Sequence, residues 1–196
     1  MDLVITAGTT LLIGSISYGV YKFSQKEHTE HITLTPVEYV FTKSNKSPKQ
    51  KVKEVIDHTK KTLDVAMFLL TETDFVTHIT KATKRGVNVR VITDRTQASD
   101  LSKQTANIQK LIKAGVPVKV NTYDGNMHLK VMISDQNLVT TGSYNFTYSA
   151  ENKNDEVLVV IRGKKIGEEW TNKFDSMWND SSQYSPYSHD ADEKYA

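Results

Sequence analysis

The chain has 196 residues, a length that suits one domain and is short for two. Its apolar share of 38% and charged share of 24% are typical of a soluble globular domain and exclude a fibrous or wholly disordered protein. There is no cysteine, which excludes disulfides, thiolate zinc sites, iron–sulfur clusters and cysteine nucleophiles. The formal net charge is +2, but residues 1–27 sum to zero and the last 18 residues to −3, so residues 28–178 carry +5 and favour phosphate-bearing partners.

The amino-terminal segment is apolar. Residues 3–21 carry no charge, and 19 helical residues at about 1.5 Å each match the hydrocarbon core of a bilayer. We therefore expect a transmembrane anchor over residues 1–23 and a polar linker over residues 24–37. A cleaved signal peptide and a buried amphipathic helix are alternatives. Lys22 and Lys26 follow the apolar run, so the positive-inside rule predicts a single-pass membrane protein with a cytoplasmic domain; a signal peptide would instead give a secreted domain.

Hydrophobic periodicity, capping residues and glycine stops predict the elements that follow the linker. Short apolar or alternating runs predict strands at residues 38–42, 63–70, 87–92, 116–120, 128–134, 138–141 and 156–161. Periodic runs predict helices at residues 48–60, 74–85, 101–114 and 167–178. The polar residues 179–196 are expected to form a disordered tail.

Strands and helices alternate through the first half of this region, which indicates βαβ units. We therefore predict an α/β domain over residues 38–178. It should contain a mixed, largely parallel sheet with helices on both faces, and the anchor helix should precede it. The helix at residue 48 has the clearest start, because Ser47 can cap it and Pro48 suits its first turn.

Most motifs of nucleotide-binding proteins and hydrolases are absent. The chain has no G-x-G-x-x-G, no Walker loop, no H-E-x-x-H and no G-x-S-x-G. Most of its histidines lie among polar residues and are expected to be solvated. They are His28, His31, His58, His78 and His189.

His128 differs from these histidines. Residues two apart on a strand share a face, so His128 and Lys130 should point the same way, opposite an apolar face. The strand then leads through a turn at residues 136–137 and a second strand into a glycine turn that carries Ser143 and Asn145. A titratable nucleophile beside a cation, facing hydroxyl and amide donors, suits phosphoryl transfer, which depends on positioning and on neutralising the equatorial oxygens.

The pattern H-x-K-x4-D-x6-G-S, which begins at His128 and ends at Ser143, resembles the HKD motif of the phospholipase D superfamily. Its continuation to Glu156 is similar to small bacterial single-motif nucleases of that superfamily and to mitochondrial cardiolipin hydrolases. The resemblance covers about residues 38–178 and implies the phospholipase D-like fold and a phosphodiesterase activity.

The resemblance also implies a role for each matched residue. His128 would be the nucleophile that forms a phosphohistidine intermediate. Lys130 and Asn145 would hold the non-bridging oxygens of the phosphate. Ser143 would add a hydrogen bond to the phosphate or to the histidine pair. Glu156 would orient the histidine and hold its attacking tautomer.

Asp135, the third residue of the motif, belongs to the same candidate catalytic set. Strand alternation places it on the other side from His128, so we expect a structural role in which it ties down the turn that follows. The resemblance implies no metal and no cofactor, in agreement with the lack of cysteine and of clustered histidine.

The motif occurs once, whereas the mechanism needs one histidine as nucleophile and another as general acid. The second histidine must then be His128 of another copy across a two-fold axis. The sequence therefore predicts a homodimer that completes the active site.

The substrate is open between nucleic acid and phospholipid. A basic region favours nucleic acid, although the same residues suit a solvated helix face. It comprises Lys43, Lys46, Lys49, Lys51, Lys53, Lys60 and Lys61, with Arg85 and Arg90. We expect a membrane-anchored endonuclease of low sequence specificity. A phospholipase D acting on cardiolipin and a non-catalytic nucleic-acid-binding module are the alternatives.

Overall fold

The computed structural model describes residues 36–188. The strands are β1 (Val37–Phe41), β2 (Thr62–Met67), β3 (Asn88–Thr93), β4 (Val118–Asn121), β5 (Lys130–Ser134), β6 (Leu138–Gly142), β7 (Val157–Arg162) and β8 (Tyr184–Pro186). The helices are α1 (Pro48–His58), α2 (Thr73–Lys84), α3 (Arg95–Asp100), α4 (Ser102–Lys113), α5 (Tyr148–Asn152) and α6 (Lys164–Asn179). As predicted, the Ser47 side chain caps α1 by accepting a hydrogen bond from the Gln50 amide.

The strands form one sheet in the order β1-β7-β6-β5-β2-β3-β4-β8. The mixed sheet is confirmed, but the prediction that it is largely parallel is wrong. Only β2–β3 and β3–β4 are parallel, and the other five pairings are antiparallel. The reason is local: residues 135–137 alone connect β5 to β6, and so short a loop permits only an antiparallel hairpin.

Helices cover both faces of the sheet, as predicted. Alternate residues of β2 show the two environments: Val65 packs towards α1, α2 and α4, whereas Ala66 packs towards α6. The α6 face is apolar along β5 and β6 as well. Its buried residues include Ala66, Ile92, Val131, Ile133, Val139, Phe174 and Met177.

A buried ion pair ties α6 to the sheet. Asp64 on β2 is almost fully buried and accepts two hydrogen bonds from the Arg90 guanidinium, at 2.7 and 2.8 Å. Arg90 also pairs with Asp175 of α6 and lies 4.9 Å from the centroid of the Phe174 ring. The paired guanidinium thus joins two strands and one helix.

The ends of the chain differ from the sequence predictions in part. The prediction of a disordered tail over residues 179–196 is wrong for its first half, because β8 pairs with β4 at the edge of the sheet. Residues 1–35 and 189–196, which include the predicted anchor, most of the linker, His28, His31 and His189, lie outside the described residues. The anchor and the cytoplasmic location stay predictions. Within residues 36–188, no helix combines the length and apolar character needed to cross a bilayer.

Candidate active site

The antiparallel pairing of β2, β5, β6 and β7 brings all the predicted site residues except Asp135 to one edge of the sheet, the edge formed by the ends of these strands. Phe68 follows β2, and Ser143 and Asn145 follow β6. His128 precedes β5 and Glu156 precedes β7. Because neighbouring strands run in opposite directions, the end of one strand lies beside the start of the next, at the same edge.

Lys130 is the buried cation of this site. It is the first residue of β5, opposite Met67 of β2, and only 8% of it is exposed. Its Nζ donates to the His128 carbonyl oxygen at 2.8 Å and lies 4.8 Å from the centroid of the Phe68 ring. Within residues 36–188, no carboxylate lies within 4.0 Å of this ammonium.

The environment of Lys130 weakens its hold on a proton. Burial lowers the pKa of the Lys130 ammonium, and the negative charge of the half-buried Glu156 opposes this shift. Among the described residues the ammonium has no close counter-ion, and Glu156 acts on it from a distance. Such a cation provides a site for an anionic ligand.

His128 lies beside Lys130 and faces solvent. The Lys130 Nζ is 3.1 Å from the His128 Nδ1 and 3.0 Å from its Nε2. The His128 ring lies against Phe68, with 4.5 Å between ring centroids. The predicted strand start at His128 is wrong by two residues, because β5 begins at Lys130; the two side chains nevertheless meet as the motif predicts.

Asn145 is held by the loop that follows β2. Its Oδ1 accepts from the Leu69 amide at 3.2 Å, and the Phe146 amide donates to the Leu69 carbonyl at 3.0 Å. The Asn145 Nδ2 has no partner among the described residues, so it can donate to a ligand at the edge.

Ser143 is exposed and paired with β7. Its backbone amide donates to the Val157 carbonyl at 3.1 Å, and its Oγ accepts from the Val157 amide at 3.2 Å. Gly142 permits this approach, because its φ is +140° and a Cβ there would collide with the Val157 carbonyl. The Ser143 hydroxyl hydrogen remains available as a donor.

Glu156 lies at the site without touching the histidine of its own chain. Its backbone amide donates to the Thr42 Oγ1 at 2.9 Å, and its Oε1 accepts from the Asn154 Nδ2 at 3.0 Å. No hydrogen bond within residues 36–188 joins its carboxylate to His128. In this chain its electrostatic effect falls on Lys130.

The structure separates Asp135 from the other site residues. It follows the far end of β5, where its carboxylate accepts from the backbone amides of Lys60, Lys61 and Thr62 at 2.6–3.0 Å. The turn itself is at residues 135–136, both with positive φ, one residue earlier than predicted. Asp135 thus holds the loop between α1 and β2, as well as opening the hairpin.

Phe68 is the site residue that the sequence did not indicate. The predicted strand over residues 63–70 placed Phe68 inside a continuous apolar run, where an aromatic residue predicts only packing. The observed β2 ends at Met67, and Phe68 therefore leaves the strand at the edge where His128 and Lys130 meet. The sequence signal for Phe68 was an aromatic residue at the end of a buried strand. Its contact with His128 and Lys130 becomes evident only from the pairing of β2 with β5.

The described residues contain no group of three or more histidine, aspartate or glutamate side chains placed to hold a metal ion.

Comparison with known proteins gives one family. The family model described as "Cardiolipin synthase, PLD-like domain" matches residues 52–178. The mitochondrial cardiolipin hydrolase of Chlamydomonas reinhardtii is 32% identical over 119 residues, which cover 61% of this chain and 52% of that protein. The phospholipase D of Rickettsia prowazekii is 31% identical over 115 residues, covering 59% and 55% of the two chains. The chain thus matches about half the length of these relatives.

A solved structure matches over a larger part. The phospholipase D family member Nuc from Salmonella typhimurium superposes with a TM-score of 0.71 and 28% identity. The superposition covers 78% of this chain and 98% of Nuc.

The contacts of Asp135 predict its effect on stability. Burial alone would raise the pKa of this carboxyl, but the hydrogen bonds from Lys60, Lys61 and Thr62 hold it below its usual value. We expect Asp135→Asn, which tolerates the positive φ, to lower the free energy of unfolding by about 1 kcal/mol in urea titrations at pH 7. Because the folded-state pKa is lowered, the difference should persist above about pH 4 and vanish as the pH falls through that pKa.

The exposed Asp124 provides the matched control, and Asp124→Asn should leave stability unchanged. Unchanged stability of Asp135→Asn together with a loss of the activity proposed below would instead assign Asp135 to the reaction.

Proposed function

Since the chain belongs to the phospholipase D-like family, we propose that it is a phosphodiesterase that cleaves nucleic acid with low sequence specificity, without a metal, through a phosphohistidine on His128. The observation that carries this proposal is the buried Lys130 ammonium, which touches the exposed His128 and has no close carboxylate within residues 36–188. A phosphodiester is an anion that matches this site, and the histidine beside it is a nucleophile.

Lys130 is distinctive because it is the one buried lysine or arginine among residues 36–188. The half-buried Lys119 bonds to the Trp178 carbonyl at 2.6 Å, and three other half-buried cations have acidic partners. Arg90 is paired with Asp64 at 2.7 Å, Lys49 with Glu72 at 3.0 Å, and Lys51 with Glu38 at 3.0 Å. Burial of a charge is costly unless an opposite charge accompanies it. A bound phosphate would supply the negative charge that pairs with the Lys130 ammonium.

The site residues suit a two-step reaction. An unprotonated ring nitrogen of His128 forms a bond to phosphorus as the bond to the leaving oxygen breaks, and a general acid protonates that oxygen. The Lys130 ammonium neutralises charge on the equatorial oxygens, and the Asn145 Nδ2 and the Ser143 hydroxyl donate hydrogen bonds to them. Water then attacks the phosphohistidine, the general acid recovers its proton from that water, and His128 is released.

The general acid must come from elsewhere. Of the other described histidines, His58 bonds to the Glu54 carbonyl of its own helix at 2.7 Å, and His78 bonds to Asp57 at 2.7 Å. Both are on helices away from the edge that carries His128. The proposal therefore includes a second copy of the chain, whose His128 is the general acid.

The case for nucleic acid rests on the open site and on size. His128 and Ser143 are exposed at the sheet edge, so the backbone of a polymer can reach them. The match to Nuc takes in nearly the whole of that small protein. The motif and its continuation also resemble small bacterial single-motif nucleases. The lysine-rich region contributes less than the sequence suggested, because several of its lysines are paired with acids. They are Lys43, Lys49, Lys51 and Lys53.

One observation favours a phospholipid as the second candidate. An apolar cleft of about 390 Å³ lies between β5 and α6 and begins at Leu129, the residue between His128 and Lys130. Val131, Ile133, Trp170 and Phe174 also line it. A cleft of this character beside a phosphate site could hold an acyl chain.

The proposal is tested with the full chain in EDTA, using plasmid DNA, single strands and cardiolipin vesicles as substrates. We expect strand cleavage, reduced about 10³-fold or more by His128→Ala, because the nucleophile is lost. His58→Ala is the matched control and should retain full activity. Release of the lipid headgroup alone would favour the phospholipase, and binding without turnover would favour the non-catalytic module.

The pKa of Lys130 predicts a pH dependence. Glu156 opposes the lowering of that pKa, so Glu156→Gln should lower it further. Phosphate binding needs the protonated ammonium. As the pH rises, Glu156→Gln should therefore lose activity sooner than the wild type, so the alkaline limb of its kcat/KM profile should move to lower pH.

The neighbouring Asp155→Asn, which removes an exposed carboxylate, should leave that limb in place. An unmoved limb in Glu156→Gln would show that Glu156 does not support the charge of Lys130.

A further inference from the structure

A buried carboxylate outside the HKD motif lies at the edge of the sheet that carries the candidate site. Asp94 directly follows β3 and is 0% exposed. Met67 of β2 pairs with Thr93 of the parallel β3, so Asp94 leaves β3 beside the point where Phe68 leaves β2. Within residues 36–188, no lysine, arginine or histidine nitrogen lies within 4.0 Å of its carboxylate. A buried carboxylate without a cation depends on hydrogen bonds, so its donors show what it holds.

The two oxygens of Asp94 hold two different parts of the chain. The Oδ1 accepts from the Gln97 amide at 3.0 Å and thereby caps α3. The Oδ2 accepts from the Met127 amide at 2.9 Å, and Met127 immediately precedes His128. The first bond serves the local helix, whereas the second joins the end of β3 to the segment that carries the proposed nucleophile.

Hydrogen bonds hold the backbone on both sides of His128. Before it, the buried Met127 donates to Asp94; after it, the Leu129 carbonyl accepts from the Phe68 amide at 2.9 Å. The His128 side chain is exposed and has fewer packing contacts to hold it than a core residue has. Its position therefore depends on these two backbone bonds, together with its contact with the Phe68 ring.

A second buried side chain secures the segment before the proposed nucleophile. Residues 122–127 follow β4, and most of them are exposed. Asn121, which is 1% exposed at the end of β4, donates from its Nδ2 to the Gly125 carbonyl at 2.8 Å, and its Oδ1 accepts from the Arg95 amide at 2.9 Å. The chain at the end of β3 thus holds this segment twice, directly through Asp94 and indirectly through Asn121.

We propose that Asp94 is a positioning residue, whose carboxylate holds the Met127 amide and so fixes the backbone from which His128 reaches phosphorus. The inference rests on the proposed function, because it concerns the nucleophile of that reaction. No hydrogen bond within the described part of the chain joins Asp94 to His128, so Asp94 acts through the backbone. Nucleophilic attack needs reacting atoms about 3–3.5 Å apart, and a misplacement of about 1 Å costs on the order of 100-fold in rate.

The test uses Asp94→Ser in the full chain. Serine caps helices about as well as aspartate does, but its single oxygen serves Gln97 and leaves the Met127 amide without an acceptor. Amide hydrogen exchange, followed by NMR, should show the Met127 amide exchanging about 10-fold faster than in the wild type. The NMR signal of the His128 ring should move as well, because its contact with the Phe68 ring changes.

The kinetics of DNA cleavage separate positioning from binding. In Asp94→Ser, kcat should fall about 30-fold or more, because the nucleophile is displaced from the phosphorus. KM should stay within about 2-fold of the wild-type value, because Lys130, Ser143 and Asn145, which are proposed to hold the phosphate, are unchanged.

Thr59→Val is the matched control for the loss of a buried hydrogen bond. The Thr59 hydroxyl is buried and bonds to the Val55 carbonyl at 2.8 Å and to the Ser134 Oγ at 2.9 Å, at the end of β5 far from His128. Thr59→Val should lower the free energy of unfolding but leave the relative exchange of the Met127 amide, the His128 signal and kcat unchanged. A merely structural role for Asp94 would give the same result as this control.

Thermal unfolding shows whether Asp94→Ser is folded. If it is not, Asp94→Asn replaces it, since asparagine keeps the size of the side chain and its one accepting oxygen caps α3. A folded variant with wild-type exchange of the Met127 amide, with an unmoved His128 signal or with wild-type kcat would overturn the proposal. So would a loss of activity that appears in KM alone.

The NMR measurements do not depend on catalysis. If Asp94→Ser changes both signals but the wild type cleaves no phosphodiester, the positioning of His128 stands and the proposed function fails. If the wild type cleaves nucleic acid and Asp94→Ser cleaves it equally well, the phosphodiesterase stands and the positioning role fails.

Discussion

The burial of Lys130 is the constraint from which the rest of the site follows. An ammonium at the start of a central strand is held by the His128 carbonyl and the Phe68 ring, and no carboxylate in the described part of the chain lies close to it. Elsewhere in the described chain the half-buried Arg90 has Asp64 as its acidic partner, whereas the half-buried Lys119 bonds to the Trp178 carbonyl without one. Among the lysines and arginines of residues 36–188, Lys130 alone is buried. The fold thus places a histidine within 3.0 Å of a buried ammonium that can receive an anion.

Antiparallel topology is what assembles this site. The HKD motif spans β5 and β6, and the hairpin between them returns Ser143 and Asn145 to the edge where His128 enters. Asp135 is at the other end of the hairpin, where it holds the loop that leads into β2. The first and third residues of the motif therefore lie at opposite ends of β5, where His128 is the proposed nucleophile and Asp135 holds the fold.

The spacing of the motif predicted which residues lie close together, because the β5–β6 hairpin brings Ser143 and Asn145 back to the edge where His128 lies. It did not predict the mostly antiparallel sheet: the alternation of strands and helices describes only the part from β2 to β4. The sequence did not reveal Phe68 as a site residue. It lies in an apolar run, and an aromatic residue in such a run can equally pack in the core or line a site. The sequence also predicted that Glu156 orients His128. Within this chain the Glu156 carboxylate instead accepts from the Asn154 side chain, so that prediction stays open.

The central claim is that two copies of His128 act in one reaction. The most direct measurement is the activity of a purified heterodimer of one wild-type and one His128→Ala subunit, isolated through two different tags. The account predicts activity as low as that of the His128→Ala homodimer, because the shared site has lost a nucleophile or a general acid. A heterodimer with His58→Ala should be fully active. About half of the wild-type activity in the His128→Ala heterodimer would contradict the account, because each subunit would then work alone.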